Sequence, residues 1–73
     1  MNISELRFEL EKLRVPRRVY SLNGWTDERL CLENRDGLWH VFFVERGEER
    51  IMGIFENEEQ ACDFMLSELR YEI

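Results

Sequence analysis

The sequence predicts an α+β fold: a four-stranded antiparallel meander with N- and C-terminal helices packed on one face, in the order α-β-β-β-β-α. Three observations predict it. Apolar residues recur at helical spacing only near the two ends, at Ile3, Leu6, Leu10 and Leu13, and again at Ala61, Cys62, Met65, Leu66 and Leu69. Between these ends, short alternating or apolar runs are punctuated by turn-forming residues. Finally, 73 residues, 44% hydrophobic and 36% charged, supply a single core, so residues 1–73 are expected to form one domain.

Asn2 followed by Glu5 has the form of a capping box, and the first helix is expected to run to about Arg14. Pro16 stops it, because proline lacks the N–H and pushes the preceding residue toward extended backbone. Val19 to Leu22 reads as a short strand that breaks at Asn23-Gly24, a pair that readily supplies positive φ. Arg29 to Glu33 alternates polar and apolar side chains, and Asn34 to Gly37 reads as a tight turn.

Leu38 to Arg46 is the most apolar stretch and should be a central strand. Gly47-Glu48-Glu49 is the next expected turn, with a fourth strand from Arg50 to Phe55. Asn57 with Gln60 opens the last helix. A two-residue loop at Arg35-Asp36 would place Leu30, Leu32, Trp39, Val41 and Phe43 on one sheet face, and Cys31, Leu38, His40, Phe42 and Val44 on the other. Two helices on one side then leave the second face apolar and at least partly uncovered.

The longest apolar run, Val41 to Val44, is far short of the roughly 20 residues of a membrane span. The stretch from Met1 to Glu5 lacks the features of a secretory signal, so a cytoplasmic, soluble protein is expected, with Cys31 and Cys62 as buried thiols. Charge is distributed unevenly. Seven basic and seven acidic residues lie up to Asp36, against three basic and nine acidic beyond it. The resulting net charge of −6 repels phosphate backbones and favours basic partners. Arg14, Arg17 and Arg18 form a short counter-signal.

No catalytic set is legible, and no enzyme is expected. His40 stands alone in a strand, with no serine or cysteine spaced as a nucleophile beside it. One histidine and two separated cysteines match no metal-ligand spacing, and Gly24, Gly37, Gly47 and Gly53 form no phosphate loop. Neither cofactor nor metal is expected. Glu45, Glu48, Glu49, Glu56, Glu58, Glu59 and Asp63 are candidates for an acidic rim at one end of the sheet that imitates phosphates; plain solubility explains them equally well. Trp25 is either an aromatic anchor for a partner or a lid over the sheet edge. Phe8, Phe64 and Tyr71 fall outside the helix stripes, and pack between helices or face a partner.

Three segments, LNGWTDERLCLEN, GLWHVFFVERGEE and IFENEEQACDFMLSEL, resemble the small α+β immunity proteins encoded beside bacterial polymorphic toxins, including those of contact-dependent growth inhibition. The resemblance spans about Tyr20 to Leu69. Its most specific parts are Trp39 in a strand ending in Glu45-Arg46-Gly47, and Phe55 through Ala61-Cys62. It implies a cytoplasmic antidote that covers the active site or substrate groove of a cognate toxin domain, a nuclease with a basic surface. The resemblance carries over no toxin-contacting residue. On charge and aromatic character, Trp25 and the seven acidic residues are the partner-binding candidates, with no nucleic-acid or membrane partner expected. A homodimeric scaffold or regulatory subunit is the alternative, and a weak nucleic-acid binder using the arginine cluster is a third.

Overall fold

The computed structural model of the chain describes residues 1–70. The order is helix α1 (Ile3–Lys12), a 3-10 turn (Arg17–Val19), strands β1 (Tyr20–Leu22), β2 (Leu30–Arg35), β3 (Leu38–Glu45) and β4 (Glu48–Phe55), and helix α2 (Glu58–Leu69). This is the α+β architecture expected from the sequence. The strands form one sheet in the order β1-β2-β3-β4.

Local chemistry sets the helix ends. Asn2 and Glu5 form a reciprocal capping box at the start of α1, and the Asn57 side chain accepts from the Gln60 N–H at the start of α2. At its C-terminus α1 closes before Pro16 is reached. Arg14 adopts φ 62°, its N–H donates to the Glu11 carbonyl, and the Val15 N–H donates to the Leu10 carbonyl. These are the two bonds of a Schellman motif, and Val15 and Leu10 supply its buried apolar contact.

Both helices pack on one sheet face, as expected. Leu6 and Leu10 of α1 and Ala61, Cys62, Met65 and Leu69 of α2 bury themselves against Leu30, Leu32 and Val41, with Trp39 and Phe43 at the margin. Fully burying one such Leu or Met side chain contributes about 1.5–3 kcal/mol. Phe64 joins this layer, its ring 5.2 Å from that of Phe55. Here Gly53 is required, because a Cβ at that position would stand 2.7 Å from the Phe55 ring.

Strand pairing differs from the expected meander in three places. The β2–β3 loop is Asp36-Gly37, not Arg35-Asp36; both residues take positive φ, and Leu32 faces Val41 across the strands. The shift of the pair by one residue at each end keeps every side chain on its expected face. The β3–β4 turn is Arg46-Gly47, again at positive φ, so Glu48 and Glu49 belong to β4 rather than to a turn. Pairing of β3 with β4 slips between Val41 and Phe42, which face Gly53 and Ile51 and leave Met52 as a bulge.

The third difference is at β1, which runs parallel to β2 while the remaining pairs are antiparallel. Parallel neighbours need a crossover, usually of a dozen or more residues. Here the short stretch from Asn23 to Arg29 suffices. Asn23 turns at φ 68°, and its N–H and that of Gly24 both donate to the Leu32 carbonyl. The chain then returns across the helix-free face, where the Thr26 N–H lies 3.4 Å from the Cys31 Sγ. It rejoins the sheet where the Glu28 N–H donates to the Val44 carbonyl.

The second face is partly uncovered, as expected, and the crossover covers the rest of it. Cys31, Phe42 and Val44 are fully buried there as a second small core without any helix above them. The opposite end of that face remains uncovered, with Leu38, Ile51 and Ile54 exposed.

Candidate protein-binding surface

Residues on the helix-free face follow from strand alternation. Glu33 and Arg35 on β2, Leu38, His40 and Phe42 on β3, and Glu49, Ile51 and Ile54 on β4 all point the same way as Cys31. Arg35 organises the centre. Its guanidinium lies 4.4 Å from the Phe42 ring centroid, a cation–π contact. Its Nε donates to Glu33 at 2.7 Å, and its two terminal nitrogens donate to the two carboxylate oxygens of Glu49, Nη1 to Oε2 at 3.1 Å. The fork is bidentate, which fixes orientation as well as adding attraction.

Electrostatics follow from that geometry. Hydrogen bonds from Arg35 hold the Glu49 carboxyl below the usual carboxylate range, with a smaller contribution from the Trp25 side chain. Glu49 and Glu33 in turn raise the pKa of Arg35 further above its ordinary value. The cation is therefore matched by two carboxylates, and the group as a whole keeps a negative excess. His40 sits between Glu33 and Ile54 in the same row, with Nδ1 3.2 Å from the Leu38 carbonyl oxygen.

The seven acidic candidates do not form one rim. Glu45 and Glu48 face each other at the tip of the β3–β4 hairpin. Asp27 and Glu28 of the crossover join them, accepting from the Gly47 and Arg46 N–H groups at 3.0 and 3.2 Å. Glu56, Glu58, Glu59 and Asp63 lie at the opposite end of β4 and along α2. Glu58 has a structural duty: its Oε2 accepts from the Ile3 N–H at 2.7 Å, joining the starts of the two helices. Glu49 is committed to Arg35. The crossover that carries Trp25 lies over the sheet face rather than the sheet edge, and the indole is 45% exposed.

Between the two acidic ends runs β4, an outer strand of the sheet whose other long edge is paired to β3. Ile51, Met52 and Ile54 on this strand are each more than two-fifths exposed. On the helix side, Met52 borders a cleft of about 510 Å³ that is also lined by Val19, Leu30, Phe43 and Leu69. The opposite edge of the sheet has the reverse charge. There Arg7, Arg17 and Arg29 line a cleft of about 270 Å³ beside β1, and Arg17 pairs with Glu11.

Sequence reasoning missed Arg35 and the exposed trio on β4. Arg35 had a usable signal, since Glu33 two residues earlier in a strand shares its face. Phe8 is 63% exposed, with the Lys12 ammonium 5.5 Å from its ring, and Tyr71 lies outside the described residues. Both cysteines are free and buried; burial pushes the Cys62 thiol up to about 11 and raises that of Cys31 as well. Such thiols are protonated near neutral pH and poor nucleophiles. Among the described residues, no three His, Cys, Asp or Glu side chains converge as metal ligands, and no helix is long and apolar enough to cross a membrane.

Comparison of the chain with protein-family models, curated proteins and solved structures gave no match.

Proposed function

We propose that this protein acts by binding another protein with a basic surface, and that it serves as the immunity protein of a bacterial toxin domain, a nuclease. The observation that carries this reading is the placement of exposed apolar side chains, Ile51, Met52 and Ile54, on a strand whose two ends are acidic. Ile51 and Ile54 are exposed on the helix-free face and Met52 on the helix side, so the strand shows apolar surface on both faces. Exposed apolar surface on a small domain marks interaction sites. Negative charge at both ends selects a positive partner and speeds encounter. A nuclease groove is basic because it holds phosphates, so an acidic inhibitor fits it. The toxin assignment itself rests on the sequence resemblance over about Tyr20 to Leu69.

The test is genetic. A toxin domain encoded beside this protein, expressed with and without it, should kill cells only in its absence. Equal killing in both cultures sets the immunity reading aside. The same experiment run with a catalytically dead toxin controls for expression burden.

A further inference from the structure

The exposed apolar residues and the divided acidic groups meet at one structural element, the edge of β4 that pairs with no strand among the described residues. A sheet edge offers unpaired N–H and C=O groups, and proteins usually protect it with charge, bulges or a covering segment. Protection here is partial. The bulge at Met52 interrupts the strand, and charge stands only at its two ends, Glu48, Glu49 and Arg50 before the apolar stretch and Glu56 after it. The stretch from Ile51 to Phe55 carries no charge.

From this we infer that β4 is a docking edge that takes an extended strand of a partner with an apolar centre and basic ends. Main-chain hydrogen bonds supply the attachment, and side-chain contacts supply the choice of strand. The added strand covers Ile51 and Ile54 on the helix-free face and Met52 on the helix side. Its basic ends meet Glu48 at the hairpin tip and Glu56 beyond Phe55. The bulge keeps the pairing short, so charge at the two ends contributes much of the selectivity.

Charge also decides against a second copy of this chain as the occupant. Antiparallel two-fold pairing of β4 with itself about Met52 sets Glu48 of each copy opposite Glu56 of the other. Like charges directly opposite across strands are destabilising. A strand with lysine or arginine at both ends turns both repulsions into attractions.

The inference rests on the reading of this protein as a binder of basic proteins, and its test is independent of any toxin. The probe is a disulfide-cyclised β-hairpin peptide whose outer strand has alternating valine and threonine between terminal lysines. It is used at about 1 mM, where a millimolar dissociation constant gives half-saturation. Amide exchange, followed residue by residue by NMR, should slow about twofold at half-saturation for the amides between Ile51 and Phe55 that face the open edge rather than β3. A hairpin ending in glutamates should leave these amides unchanged.

Met52→Lys, at an exposed position, should keep the melting temperature and abolish the protection. Protection at another element, equal effects of the two hairpins, no protection, or a β4-paired dimer without peptide would each overturn the inference. Toxin rescue without β4 protection removes this inference alone. Peptide docking without toxin rescue removes the immunity reading alone.

Discussion

Replacing Phe42 with alanine is expected to destabilise the protein by about 3–5 kcal/mol, the cost of emptying a buried aromatic site. Phe42 is fully buried on the face that has no helix above it. Removing the ring opens the Cys31–Val44 cluster beneath the crossover and takes away the surface on which the Arg35 guanidinium rests. Small domains have only about 5–15 kcal/mol in total, so the variant should be largely unfolded at moderate urea. Phe42→Leu keeps most of the apolar volume and should cost about 1.5 kcal/mol or less. Urea midpoints of the two variants check this. A cost below about 1 kcal/mol for alanine would mean that the crossover does not seal the face.

Reversing Glu45, Glu48 and Glu56 to lysine together is expected to slow association with a basic toxin by one to three orders of magnitude at low salt. All three carboxylates are exposed, and none caps a helix or pairs with Arg35. The fold should therefore survive. Glu49 and Glu58 are unsuitable for the same test, because the first holds Arg35 and the second accepts from Ile3. The difference between variant and parent should shrink as ionic strength rises, since screening acts on encounter between exposed charges. Stopped-flow association across a salt series measures this. An unchanged rate and salt slope would place the contact away from both ends of β4.

The sequence makes some of these features legible and hides others for identifiable reasons. Helix stripes, the Asn2–Glu5 box and the face assignment of β2 and β3 follow from local spacing, and local spacing survives folding. The parallel β1 was hidden because Asn23-Gly24 looks like a hairpin turn. The same positive φ at Asn23 also starts a crossover, and only its tertiary contacts distinguish the two. Arg46 at φ 53° carries no turn signal of its own, so the turn expected at Gly47 to Glu49 starts one residue and ends two residues beyond the observed Arg46-Gly47. The acidic rim failed through geometry. Residues Glu48 and Glu56 are close in sequence, yet an extended strand holds them at about 3.3 Å per residue at opposite ends. Separation of the acids is what leaves an apolar edge between them.

The central claim is that this chain works by giving β4 and its acidic ends to another protein. Its most direct measurement is the amide-exchange footprint of this chain, at low salt, with the toxin domain proposed as its partner. Slowed exchange running from Glu48 through Glu56, with the Trp25 crossover alongside, is the predicted result. A footprint confined to α1 and the arginine-lined β1 edge, with β4 exchanging as in the free protein, would contradict it.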